Sequence, residues 1–189
     1  MKTLLHVCCA PCSIMCIESL KQANHDITAF WYNINIHPFT EYRSRRNAVR
    51  EYMKSIGVPL VERDDYGLRE FVRNVAFDID NRCDFCYFSR INAAAEEAAK
   101  GGFEAFTTSL LISPYQNRDK LLKAGYEAQE KYGVRFLPED FRPYFKEGQE
   151  RARSLEIYMQ KYCGCVFSEE ERYRKKKKPK KEEQENAGV

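Results

Sequence analysis

The chain reads as an α/β protein built on a mainly parallel sheet. Three observations predict it. Short apolar runs alternate with longer amphipathic stretches, the pattern of βαβ units. Loops that follow the strand-like runs, at 8–9, 33–38 and 110–117, carry cysteine, histidine and amide residues, and an open α/β sheet places its ligands at such strand ends. A length of 189 residues, with 43% hydrophobic and 31% charged, suits one domain with a core that needs no disulfide or metal to hold it.

In chain order, Thr3–Val7 is an apolar run read as a buried strand, and Ser13–Ala23 as the helix after it. Asp26–Tyr32, with Ile27, Ala29, Phe30 and Trp31, forms the second strand. Thr40 precedes a helix over Glu41–Ile56, which Gly57 stops. Val58–Val61 is short and holds Pro59, so it is an edge strand or a strand start. Asp65–Asn74 is a short amphipathic helix, and Tyr87–Lys100 an Ala-rich one closed by Gly101-Gly102. Phe103–Thr108 is the next strand, Arg118–Tyr132 a helix stopped by Gly133, and Val134–Leu137 a last short strand. A final helix over Gln149–Tyr162 delivers Cys163 and Cys165. Residues 1–168 form one domain on this reading, and 169–189 a charged, solvated tail.

Composition narrows the function classes. The net charge is +3, and +2 of it sits in the last 21 residues, so the body is nearly neutral and nucleic-acid contact would need a local basic patch. No apolar run approaches a membrane span, and the N-terminus lacks the apolar region of a signal peptide, so a cytoplasmic protein is expected. Eight cysteines without an export signal point to metal or redox chemistry rather than a disulfide framework.

The cysteines fall into three groups. Cys8-Cys9-Ala10-Pro11-Cys12 lies between a strand and a helix N-terminus, whose dipole lowers thiol pKa and suits a nucleophile or a metal ligand. Cys83-Asp84-Phe85-Cys86 brings two sulfurs to one side of a turn or of a first helical turn. With Cys8 and Cys9 it makes four thiolates, enough for zinc or a [4Fe–4S] cluster. Vicinal ligands at a strand end sit better with a cluster, but zinc stays open. Cys163-Gly164-Cys165 would close a small, strained disulfide ring, which suits transient electron transfer. Cys12 and Cys16 share a helix face; Cys16 reads as a core residue, and Cys12 reads more as packing than chemistry. Asp84, beside any metal held by its neighbours, is a helix cap or a proton donor and ligand.

Five stretches, Leu5–Ser13, Asn35–Pro38 with Glu41-Tyr42, Cys83–Tyr87, Phe106–Gln116 and Tyr162–Cys165, occur in the order found in the QueH-type epoxyqueuosine reductases, which the chain resembles from residue 4 to 168. The resemblance implies a three-layer, Rossmann-like fold related to the adenine-nucleotide α-hydrolase and PP-loop proteins. It implies reductive removal of the epoxide oxygen of epoxyqueuosine at the wobble position of tRNA with GUN anticodons, with electrons from an unidentified donor. It places a [4Fe–4S] cluster on Cys8, Cys9, Cys83 and Cys86, a further iron near Asp84, and a redox-active pair at Cys163 and Cys165. Ile34, Phe88 and Met159 depart from common family residues, and none is a cysteine.

His37, Tyr115 and Gln116, in loops at strand ends, are candidates for holding a modified base. The competing classes are a thiol–disulfide oxidoreductase using Cys9/Cys12 or Cys163/Cys165, and a zinc-binding tRNA module. A PP-loop thiolase or ligase is disfavoured, because no Ser-Gly-Gly-x-Asp-Ser loop is present.

Overall fold

The structure is a computed structural model and describes residues 1–174. Its centre is a five-stranded sheet of β1 (Lys2–His6), β2 (Asp26–Trp31), β3 (Leu60–Glu62), β4 (Ala105–Thr108) and β5 (Arg135–Phe136). The strand order is β3-β2-β1-β4-β5 and every pairing is parallel, as in a Rossmann-like sheet. Leu5 pairs with Ala29 on one side and Thr107 on the other, so β1 is central and buried on both faces. That is why its sequence is a continuous apolar run rather than an alternation. Pro59 immediately precedes β3, which is an edge strand, in line with the edge or strand-start position read from the sequence.

The crossovers sort the helices. Helix α1 (Ala10–Gln22) packs on α2 (Phe39–Ser55) and on α6 (Phe145–Ser154), while α4 (Arg82–Lys100) packs on α5 (Arg118–Tyr132) and on β1 and β4. Right-handed connections from a central β1 put these two groups on opposite faces of the sheet, giving three layers. A short α3 (Leu68–Val75) precedes α4, and α7 (Val166–Tyr173) closes the described chain. Buried Ala93, Ala94, Ala95 and Ala98 let α4 lie close to the strands. No helix among the described residues is long and apolar enough to cross a membrane.

Several boundaries differ from the sequence reading, and three of them bear on the candidate site. Helix α4 begins at Arg82 rather than Tyr87, so Cys83, Asp84 and Cys86 sit in its first turns, the helical one of the two placements expected. Helix α6 spans Phe145–Ser154 and stops where Glu156 takes a left-handed φ of 54° and Ile157 N–H returns to Ala152 O at 2.9 Å. The sequence has no glycine there to announce the stop. The irregular segment that follows carries Gln160 into the cysteine region. Helix α7 then continues to Tyr173, past the expected domain limit at 168, capped by Cys165 Sγ accepting from Ser168 N at 3.4 Å. The rest of the tail lies outside the described residues.

Gly125 shows how tightly α5 meets the sheet: a Cβ there would run into the Phe136 ring. Gly125→Ala is expected to lower stability by about 1–3 kcal/mol through overpacking, despite alanine's better helix propensity. Urea unfolding followed by circular dichroism measures it.

Candidate metal centre and its cavity

The chain reverses direction between β1 and β4, the strands whose helices leave toward opposite edges, so the crevice at their carboxyl ends is the switch point of the sheet. Cys8 and Cys9 follow β1 directly, and Ser109 follows β4. The Cys8 amide donates to Ser109 Oγ at 3.1 Å, and the Ser109 hydroxyl donates to Cys8 Sγ at 3.4 Å. Below them His6 is fully buried, its Nδ1 2.8 Å from Thr108 Oγ1 and its Nε2 3.1 Å from Tyr32 O, which ties three strands together.

Cys9 is the N-cap of α1 and Cys12 lies in its first turn. The sulfurs of Cys8, Cys9 and Cys12 all lie within 4.8 Å of one another. Cys12 therefore joins the group, where the sequence had favoured a packing role. The three share charge unevenly. Hydrogen bonds from the Cys12 and Cys9 thiols, then one from Ser109, pull the Cys8 thiol well below its ordinary range. Burial pushes Cys9 up, and the bond to Cys8 does the same for Cys12. Of the three sulfurs, Cys8 is the one whose neighbours favour the charged form. Gln160 Nε2 adds contacts to Cys9 Sγ at 3.0 Å and Cys12 Sγ at 3.4 Å, while its Oε1 is buried without a partner among the described residues.

Cys83 and Cys86 lie outside that sulfur triad, with Cys86 in contact with Arg90. This guanidinium is 2% exposed, and donates to Cys86 Sγ at 3.1 Å, Asn33 Oδ1 at 3.2 Å and Cys86 O at 3.2 Å. Among the described residues no carboxylate pairs with it. Burial pushes the Cys86 thiol up to about 12, so it meets Arg90 as a neutral sulfur, and Cys83 is raised for the same reason. The Arg90 charge in turn helps to lower the Cys8 thiol. Buried charges persist only when paired.

The third group, Cys163 and Cys165, is placed by Arg45. That buried side chain bonds Glu41 Oε1 at 2.7 Å, Cys163 O at 2.9 Å and Tyr162 O at 3.0 Å. Cys163 is exposed, its sulfur accepting from Gln116 Nε2 at 3.4 Å, and Gln116 Oε1 in turn accepts from Tyr87 OH at 2.8 Å. Cys165 is buried, and both are free thiols. Between them Gly164 has φ +150°, and a Cβ there would lie 3.2 Å from Asn35 Nδ2.

Cys8, Cys12, Arg90, Ser109, Gln116, Gln160 and Cys163 line one cavity of about 750 Å³, within the usual size of a small-ligand site. Tyr115, 85% exposed, stands at its edge, edge-on to Phe145. Two expected site residues are elsewhere. His37 is 1% exposed; its amide donates to Gly164 O at 2.8 Å and its Nδ1 accepts from Val166 N at 3.4 Å, so it holds the Cys163–Cys165 turn rather than facing the cavity. Asp84 is half exposed and ion-paired with Lys120 Nζ at 2.6 Å, in a separate groove between α4 and α5. The sequence reading missed Arg90, Arg45, Ser109 and Gln160. Arg90 had a signal, since it follows Cys86 by one helical turn, but Gln160 had none.

The family profile described as epoxyqueuosine reductase QueH matches residues 3–171. The chain belongs to that family. A curated epoxyqueuosine reductase QueH of Dehalococcoides mccartyi is 36% identical over 172 residues, covering 91% of this chain and 94% of the relative. One of Thermotoga maritima is 38% identical over 178 residues, covering 89% and 91%. In fold the chain is similar to the U34-tRNA thiolase NcsA from Methanococcus maripaludis, solved with its [4Fe-4S] cluster. The TM-score is 0.56 at 17% identity, over 89% of this chain and 61% of the thiolase. A predicted subunit of a tRNA methyltransferase from Methanocaldococcus jannaschii gives 0.50 at 13% identity, over 80% and 76%. These likenesses support the PP-loop-like layering expected from the sequence.

Two outcomes follow from the geometry. Gly164→Ala should displace the cysteine turn, detected as faster modification of Cys165 by a thiol reagent in a chain that stays folded. Burial holds His37, and His6 with help from Arg90, near pKa 4, against 6.5 for an ordinary histidine. The unfolded chain therefore binds more protons between pH 6.5 and 4, and folding stability is expected to fall as pH is lowered through that window. Urea midpoints across the window, compared with His37→Gln, check the slope, which should be shallower in the variant.

Proposed function

We propose that the chain reduces epoxyqueuosine in tRNA to queuosine, at the cavity on the switch point. The observation that carries this reading is a thiol cluster opening into a ligand-sized cavity, in a chain that matches the reductase family over residues 3–171. Deoxygenation of an epoxide consumes two electrons and two protons, forms a carbon–carbon double bond and releases water.

The donor set fits a thiolate-bound metal. Three sulfurs lie within 4.8 Å, and a buried arginine without a carboxylate stands ready for a net negative group. Three thiols do not fill the four positions of a [4Fe–4S] cluster. Cys83 and Cys86 would complete the set with Cys8 and Cys9. When bound, such a cluster supplies one-electron transfers and Lewis acidity. The protein's own groups do the rest. Arg90 balances charge beneath the cavity, and Ser109 and Gln160 hold the sulfurs by hydrogen bonds. Gln116 and Tyr115 are placed to bond and stack on the modified base. Cys163 and Cys165, oxidised to a disulfide, would release the two electrons and two protons the reaction consumes, and an external donor would restore them. The further iron expected at Asp84 would require the Lys120 pair to open. Substrate tRNAs on this reading carry GUN anticodons.

This reading is favoured over a thiol–disulfide exchange enzyme, because Cys9 and Cys12 are buried, protonated thiols tied to Cys8 rather than an exposed attacking pair. Anaerobic iron analysis and turnover of epoxyqueuosine-bearing tRNA test it. About four irons per chain are expected, with Cys8→Ser and Cys83→Ser losing both iron and turnover. Iron kept in Cys83→Ser but lost in Cys12→Ser would move the ligand set to the triad, and active protein without iron would overturn the metal reading.

A further inference from the structure

The mouth of the cavity is cationic in a chain whose body is nearly neutral. Lys146 and Arg153 come from α6, seven residues apart and so on one helix face, and both line the mouth. Lys161, in the irregular segment, and Arg172, on α7, complete the rim. All four are exposed, and among the described residues none makes an ion pair or a side-chain hydrogen bond. Two acids share the rim: Glu171 is held by Arg82, and Glu150 is unpaired. Elsewhere Arg50, Arg142 and Arg174 are paired with Glu62, Asp140 and Glu170, whereas the rim gathers four cations without a partner among the described residues around one opening. Tyr115 stands at the same mouth, with a ring that is 85% exposed.

Cations interleaved with an exposed aromatic around a deep cavity suit a looped single strand of RNA, its phosphates on the rim and one base splayed inward. We infer that Lys146, Arg153, Lys161 and Arg172 bind the backbone phosphates of an RNA loop while a flipped base enters the cavity past Tyr115. The partner's class rests on the reductase reading above; the rim's charge does not.

The test uses the full chain and a synthetic anticodon stem–loop with unmodified guanosine at the wobble position, with affinity followed by fluorescence anisotropy as salt is raised. On a single strand each phosphate contact contributes about −0.7 to the slope of log affinity against log salt. Each of Lys146→Gln, Arg153→Gln, Lys161→Gln and Arg172→Gln should therefore make the slope shallower by about 0.7, and the quadruple variant by about 2.8. Comparing variants within the full chain cancels any contribution from the basic tail. Lys54→Gln and Lys131→Gln, exposed cations away from the mouth, should change nothing. Tyr115→Ala should weaken binding roughly tenfold at every salt concentration with the slope unchanged.

An unchanged slope in the quadruple variant would overturn the rim assignment, and the reductase reading would still stand if the wild-type chain turned over epoxyqueuosine RNA. Binding with the expected slopes but no turnover would overturn the reductase reading and leave the rim in place. Equal slope losses on a duplex of the same length would show a general polyanion surface and overturn the loop assignment.

Discussion

Arg90 is a cation sealed inside the protein, and the site is arranged around keeping it charged. Its donors reach Cys86 and Asn33, both neutral, so the counter-charge has to come from the thiol cluster at the end of β1. Within that cluster Cys8 is the sulfur whose charged form is favoured, because Cys12, Cys9 and Ser109, just after β4, donate hydrogen bonds to it. Burial, helped by the Arg90 charge, keeps His6 neutral beneath the cluster. A negative metal–thiolate group would satisfy Arg90 further, which makes the buried arginine and the cysteines parts of one electrostatic problem.

The parallel sheet solves the geometric half of that problem. The ends of β1 and β4 lie side by side, and α1 begins at the same point, so Cys8, Cys9, Cys12 and Ser109 converge without any long loop. The α4 start brings Cys83 and Cys86 from the other face. The Cys163–Cys165 turn arrives last and depends on side chains far away in sequence. Arg45 binds the Tyr162 and Cys163 carbonyls, His37 donates to the Gly164 carbonyl and accepts from the Val166 amide, and Gly164 supplies a backbone conformation that a Cβ would crowd.

This explains why His37 looked like a ligand-binding residue. Its loop lies at a strand end, the expected place for one, yet burial leaves the ring neutral and turned toward Val166 N. Asp84 shows the converse. Its position between two cysteines suggested shared chemistry, but on a helix the intervening residue points elsewhere, and here it meets Lys120 on α5. Cys12 was set aside because an i, i+4 partner in Cys16 suggested core packing; its place in the first turn of α1 brings it to the sulfurs instead.

The sequence by itself determined the sheet, the strand-end position of the site and the family. Those properties follow from apolar periodicity, turn residues and short motifs, all local in the chain. Only the tertiary structure decided which sulfurs meet, that Arg90 is buried against Cys86 and Asn33, and that Gln160 reaches Cys9 from 151 residues away. Such contacts are set by crossover direction, helix starts and an unannounced helix stop at Glu156. No local pattern encodes the distance between two segments that only packing brings together.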